Sequence, residues 1–191
     1  MESAEKIASA FPITEEEFKE LDKKYNKLCH FVAWQLYKKN SKSSYIGDHS
    51  DMVQDLYIAL MRAGSYYKRQ KYIENCLDLC AQYAEDGFLK LIIQELQDLW
   101  KNKTRHGANR QKFGPYQEKL LRDISEALIP GDKKPSKSAP LCMDAKFNTY
   151  AKSIAWNEQK ARGRKITREK GIRQGMASLS DFDYLGVDLK C

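Results

Sequence analysis

The segment Asp51-Met52-Val53-Gln54-Asp55-Leu56-Tyr57-Ile58-Ala59-Leu60-Met61-Arg62-Ala63 decides how this chain folds. Met52, Val53, Leu56, Leu60 and Met61 recur at helical spacing and make a narrow apolar seam. Asp51, Gln54 and Asp55 fall in the first turns, where negative charge suits the positive end of a helix dipole. Alone, the segment is an ordinary helix covering a core, with solvated acids at its start. A second segment, Lys146-Phe147-Asn148-Thr149-Tyr150-Ala151, adds meaning because it leads into a basic, aromatic helix.

Around these two segments the composition favours helices. The 191 residues are 42% hydrophobic and 31% charged, with only 10 Gly and 5 Pro, so an all-α protein is expected. That length suits one domain with an elaboration, or two small ones. The net charge of +7 makes an anionic partner plausible, and its distribution says more than its size. Residues 1–22 carry seven acids against two bases, whereas residues 145–174 carry nine bases against two acids. One surface therefore faces something negative and another is left for a different partner.

No catalytic set is recognisable. There is no Gly-rich phosphate loop, and His30, His49 and His106 are scattered. The acids Asp48, Asp51 and Asp55 have no lysine or histidine at active-site spacing, so neither an enzyme nor a cofactor is expected. The five cysteines, Cys29, Cys76, Cys80, Cys142 and Cys191, show no framework spacing and read as reduced thiols in a cytoplasm. Cys76 and Cys80, four apart, read as small buried apolar residues rather than a metal site. No apolar run is long enough to span a membrane.

Along the chain, residues 1–12 read as a flexible arm. Thr14 and Glu17 form a capping-box start. The helix that follows has the seam Phe18, Leu21, Tyr25, Leu28, Val32 and Leu36, flanked by Phe31 and Trp34. Gly64 is expected to end the next helix. Three apolar stripes follow: Tyr72, Ile73, Cys76, Leu77 and Cys80; then Leu89, Ile92, Ile93, Leu96, Leu99 and Trp100; then Leu120, Leu121, Ile124 and Leu128. The basic stretch from Lys101 to Lys119, with His106, Phe113 and Tyr116, reads as a solvated loop more readily than as a strand-binding one. Pro130 to Pro140 reads as a linker.

Together the two opening segments resemble region 2 of the sigma-70 family, the part of a sigma factor that docks on RNA polymerase and opens promoter DNA. The family's first pattern is roughly D-L-I-Q-E-G-x-I-G-L-M-x-A. Asp51, Gln54, Ile58, Leu60, Met61 and Ala63 match it, and Met52, Val53 and Asp55 match conservatively. The second is roughly K-F-S-T-Y-A, matched by Lys146, Phe147, Thr149, Tyr150 and Ala151. The resemblance implies a helical sigma region 2-like domain with a helical insertion between its motif helices. Its parts would be an arm (1–12), the first part of the domain (13–69), the insertion (70–130), a linker (131–144), the promoter-binding helix (145–175) and an acidic-aromatic tail (176–191).

The resemblance also implies roles. Asp51, Gln54, Asp55 and Met61 would meet the core of a bacterial RNA polymerase. Phe147, Thr149 and Tyr150 would lie along the melted promoter strand. Lys152, Lys160, Arg162, Arg164, Lys165 and Arg168 supply charge for phosphates, Trp156 supplies a ring, and Asn157 is placed to read a base. For Phe147, Tyr150, Ile154 and Trp156 a core stripe at helical spacing is the competing reading. Two departures stand out. Ser153 and Ile154 occupy the positions where some members carry a Trp pair, and 82 residues separate Gly64 from Phe147 in place of a short turn.

The layout is similar to short late-transcription sigma factors of large phages, which lack a C-terminal promoter-reading domain and end in a tail that binds a sliding clamp. By that analogy Leu179, Phe182, Tyr184 and Leu185 would engage a clamp or co-activator. The alternative is a helical DNA-binding protein, a repressor or packaging factor, that does not bind polymerase.

Overall fold

Most helices begin where the sequence supplies an acceptor for the free amides of a first turn. The Thr14 N–H donates to Glu17 Oε2 at 2.8 Å and the Glu17 N–H to Thr14 Oγ1 at 3.2 Å, which is the expected capping box. Asp48 accepts from the Ser50 N–H at 3.3 Å, Asp86 from Leu89 at 2.9 Å and Asp144 from Phe147 at 2.8 Å. Gly114 donates to the Gln117 side chain at 3.0 Å, and Pro115 opens the helix after it.

The computed structural model describes residues 4–40, 48–102 and 113–184. The protein is all-α. Its helices are α1 (Ala4–Ala10), α2 (Glu15–Asn40), α3 (His49–Tyr83), α4 (Gly87–Asn102), α5 (Pro115–Leu128) and α6 (Ala145–Tyr184), with one 3-10 turn at Gly131–Lys133. Among the described residues there is no strand, and no helix is long and apolar enough to cross a membrane.

Helix α3 does not stop at Gly64. It continues to Tyr83, so the stripe from Tyr72 to Cys80 lies on the same helix as the opening segment. Glycine serves space here rather than termination. A Cβ on Gly64 would stand 2.8 Å from Ile13 Cδ1 and 3.3 Å from Leu141 Cδ2.

The chain divides into two units. The first comprises Met1–Glu17 and Arg62–Met143. Its main core joins the three expected stripes: Ile73, Cys76, Leu77 and Cys80 from α3, Ile93 and Leu96 from α4, and Leu121 and Ile124 from α5. Phe113 is part of that core, edge-on to Trp100 with ring centroids 5.0 Å apart, so it is not a surface ring. The expected arm forms α1, which buries Ile7, and the next residue, Phe11, packs its ring 5.5 Å from that of Tyr72. The unit is therefore larger than the 70–130 stretch expected to fold as an insertion.

A buried ion pair ties this unit together. Lys68 Nζ lies 3.0 Å from Glu17 Oε1 and donates to the Pro12 carbonyl at 2.8 Å, while the Leu141 N–H donates to Glu17 Oε1 at 2.7 Å. The stretch expected to be a linker is thus held at Leu141. Burial alone would raise the Glu17 carboxyl, but the Thr14 amide, the Lys68 ammonium and the Leu141 amide outweigh it and hold it below its ordinary value.

The second unit comprises Phe18–Met61 and Asp144–Cys191, three helical segments from α2, α3 and α6. α2 and α6 run parallel: Tyr25 Oη donates to Asn148 Oδ1 at 2.5 Å, and Gln159 Nε2 donates to the Val32 carbonyl at 3.3 Å. α3 runs against α2, with Tyr57 near Asp22 and Asn26 and the His49 ring 5.5 Å from that of His30. The core takes Leu21, Tyr25, Cys29, Val32, Ala33 and Leu36 from α2, Met52, Val53, Leu56, Ala59 and Leu60 from α3, and Phe147, Ala151 and Ala155 from α6. Phe18 and Leu28, expected on the α2 seam, are half-buried, and Cys29 takes the inner position. Burial, and then the charge of Asp22, push the Cys29 thiol up to about 11, so it is an inert core group.

Candidate nucleic-acid and docking surfaces

Helix α6 has three distinct faces. Phe147, Ala151 and Ala155, four apart, are fully buried. Asn148, Tyr150, Ile154, Glu158, Gln159 and Arg162 are half-buried. Thr149, Lys152, Trp156, Asn157, Lys160, Arg164, Lys165 and Arg168 are exposed. On the inner face Phe147 packs edge-on to Tyr25, with ring centroids 6.2 Å apart.

Phe147 is therefore a core residue. Its exposure is 0%, and it cannot stack on a base in this conformation. Thr149 is exposed, with its hydroxyl donating to the Ala145 carbonyl at 3.1 Å. Of the rings expected to face a strand, Trp156 is the one the structure exposes, at 37%.

Trp156, Lys160, Arg164 and Arg168 follow one another at four-residue spacing along the wall of an open groove of about 1290 Å³. Gln35, Leu36 and Lys38 of α2 form the facing wall. Among the described residues, four cations and no carboxylate line this groove. Two exposed α2 rings stand next to residues that line it. Phe31 is 48% exposed and meets Trp156 edge-on at 6.3 Å, and Trp34 is 45% exposed with Lys38 Nζ 4.9 Å above its ring. Cations spaced along a channel, beside exposed rings, are the chemistry that holds a single-stranded nucleic acid: phosphates meet the charges and bases stack on the rings.

Sequence alone does not assign the α2 contribution. The signal for it is that Phe31 and Trp34 flank the seam without belonging to it. Rings set off the buried stripe of a long helix point toward its outer side, and a cluster of them there marks a binding face.

Arg162 is turned differently from its neighbours. Its guanidinium pairs with Asp55 of α3, beside a small apolar recess formed by Val32, Met52 and Leu56. The pair joins a residue expected to touch DNA to one expected to touch polymerase. Being partly exposed, it contributes at most about 1 kcal/mol to stability. Lys152, Asn157 and Lys165 lie on the exposed surface of α6 but do not line the groove.

On α3, Asp51, Gln54 and Asp55 are exposed, as are Ile58 at 39% and Met61 at 37%. Their spacing of three and four puts them along one helix face. Acid and amide groups lie at its start and two apolar side chains at its end. Tyr57, one residue off this face, is pinned inward by its hydroxyl donating to Asp22, a bond that lowers the Asp22 carboxyl below its ordinary value.

Leu179, Phe182 and Tyr184 fall on the last turns of α6, but their side chains, and all of Leu185, lie outside the described residues. Among the described residues no three His, Cys, Asp or Glu side chains converge as a metal site requires. No family model matches the sequence, and no curated protein or solved structure matches it significantly.

Proposed function

We propose that this chain is a sigma-like transcription initiation factor, which binds the core of a bacterial RNA polymerase and directs promoter recognition and opening. One observation carries the reading: a single three-helix unit presents both an acid, amide and apolar face on α3 and a basic and aromatic groove between α2 and α6. The α3 face, Asp51, Gln54, Ile58 and Met61, suits a basic protein surface with an apolar hollow. The groove suits the melted promoter strand. In this reading the strand is stacked by Trp156, with Phe31 and Trp34, in place of the buried Phe147. Such a factor works in the cytoplasm and needs no catalytic group of its own.

The alternative, a helical DNA-binding protein without polymerase, explains the groove but leaves Ile58 and Met61 exposed beside an acidic helix start for no purpose. The groove is tested by fluorescence anisotropy with a labelled single-stranded oligonucleotide. Wild type is expected to bind with a clear salt dependence. Lys160→Glu with Arg164→Glu should flatten the salt slope by about 1.4, roughly 0.7 for each single-strand phosphate no longer neutralised. Trp156→Ala should weaken binding by about 1–3 kcal/mol. Unchanged binding in all these variants would remove the groove from the account.

A further inference from the structure

The first unit contains a pocket that neither surface described above uses. It is walled by Phe11, by Tyr72 and Cys76 of α3, and by Leu121 of α5, with Ala10 at its edge. Three cations stand around it: Arg69, Arg122 and Lys137. Arg69 is paired with Glu118. Lys137 Nζ lies 5.9 Å from the centre of the Tyr72 ring. The charge of Arg122 is felt at the Tyr72 hydroxyl and that of Lys137 at the Cys76 thiol, so both fields reach the pocket floor. Against these three cations stand Glu118 in the lining and Glu126 near Tyr72, which leaves one positive charge in excess.

The floor is polar but uncharged, with the Tyr72 hydroxyl and the Cys76 thiol hydrogen-bonded to each other. Burial, followed by the neighbouring Cys76, pushes the Tyr72 hydroxyl up to about 12, and burial raises the Cys76 thiol. Both stay protonated at neutral pH. The cavity, about 90 Å³, is smaller than the roughly 150 Å³ closed cavity that takes a benzene ring, but it opens to solvent on one side. A ligand can thus slot the edge of a flat apolar body between Phe11, Tyr72 and Leu121 while the rest of it, with its head, stays at the open mouth.

We propose that this pocket binds a small organic carboxylate, its anionic head held by Arg122 and Lys137 and its apolar body against Phe11 and Tyr72. Neither half suffices alone. The apolar walls are too small in area to hold a neutral molecule tightly, and two exposed cations hold a bare anion weakly. A bound ligand would touch α1, α3, α5 and the Lys137 segment together, and so raise the stability of this unit by mass action.

The test uses the full chain and benzoate as probe, read by amide NMR and by the thermal midpoint. Benzoate should give saturable shifts around Phe11, Tyr72 and Leu121 and raise the midpoint. Lys137→Glu should weaken binding about tenfold or more. Ala10→Trp, which plugs an exposed edge of the pocket without touching the core, should abolish the shifts while the rest of the spectrum is kept. Benzyl alcohol and inorganic phosphate, each carrying half of the chemistry, should bind far more weakly. Absence of saturable shifts, equal binding of either control, or shifts that survive Ala10→Trp would overturn the proposal.

Discussion

Asp55 illustrates how one residue can serve two surfaces. Its carboxylate is half exposed, yet it holds the Arg162 guanidinium away from the groove cations that follow one another along α6. Removing the charge should release Arg162 toward a phosphate. Asp55→Asn is therefore expected to bind single-stranded DNA a few-fold more tightly, with a salt slope steeper by about 0.7. An unchanged slope would mean that Arg162 only braces α3 against α6. The same pairing makes Asp55 a poor probe of docking, because its substitution changes two surfaces at once. Phe147 carries the opposite lesson. Its place in the K-F-S-T-Y-A pattern marks it for DNA, but 147, 151 and 155 form the inward stripe of α6, and periodicity already offered that reading.

At the scale of elements, the joint around Glu17 holds the start of α2, the Lys68 turn of α3 and the chain at Leu141. The Glu17 carboxyl is depressed in the fold, so its contribution is fully present above the unfolded carboxylate value. It is lost as pH falls through the lower, folded value. Chemical denaturation followed over pH should show wild type losing stability in the acid range. Glu17→Gln should be flatter there and less stable at neutral pH, by about 3–5 kcal/mol for an uncompensated buried lysine. A parallel pH profile in the variant would show that Glu17 does not report this joint.

Helix positions were largely legible, because caps and apolar stripes are local: Thr14 with Glu17, and the stripes of α4 and α5, lie where the sequence puts them. The boundary at Gly64 was not, because the reason for that glycine is tertiary. Ile13 and Leu141, far off in sequence, would crowd a side chain there. The α2 wall of the groove was hidden for a similar reason. Lys38 gains its meaning only when the parallel packing of α2 and α6 sets it across the groove from Lys160 and Arg164, with the Trp34 ring beside its ammonium.

For the molecule as a whole, the two units carry different features. The first is built from the three apolar stripes and carries the small cationic pocket. The second carries both surfaces on which the proposed function rests. What separates a sigma-like factor from a DNA-binding protein of another kind is the α3 face. The decisive measurement is capture of RNA polymerase core by the tagged full chain, comparing wild type, Gln54→Arg with Met61→Glu, and Lys160→Glu with Arg164→Glu. The account predicts capture by wild type and by the groove variant, and its loss in the α3 variant, with all three equally folded by circular dichroism. Failure of wild type to retain polymerase core from its native host, or equal capture by the α3 variant, would contradict it.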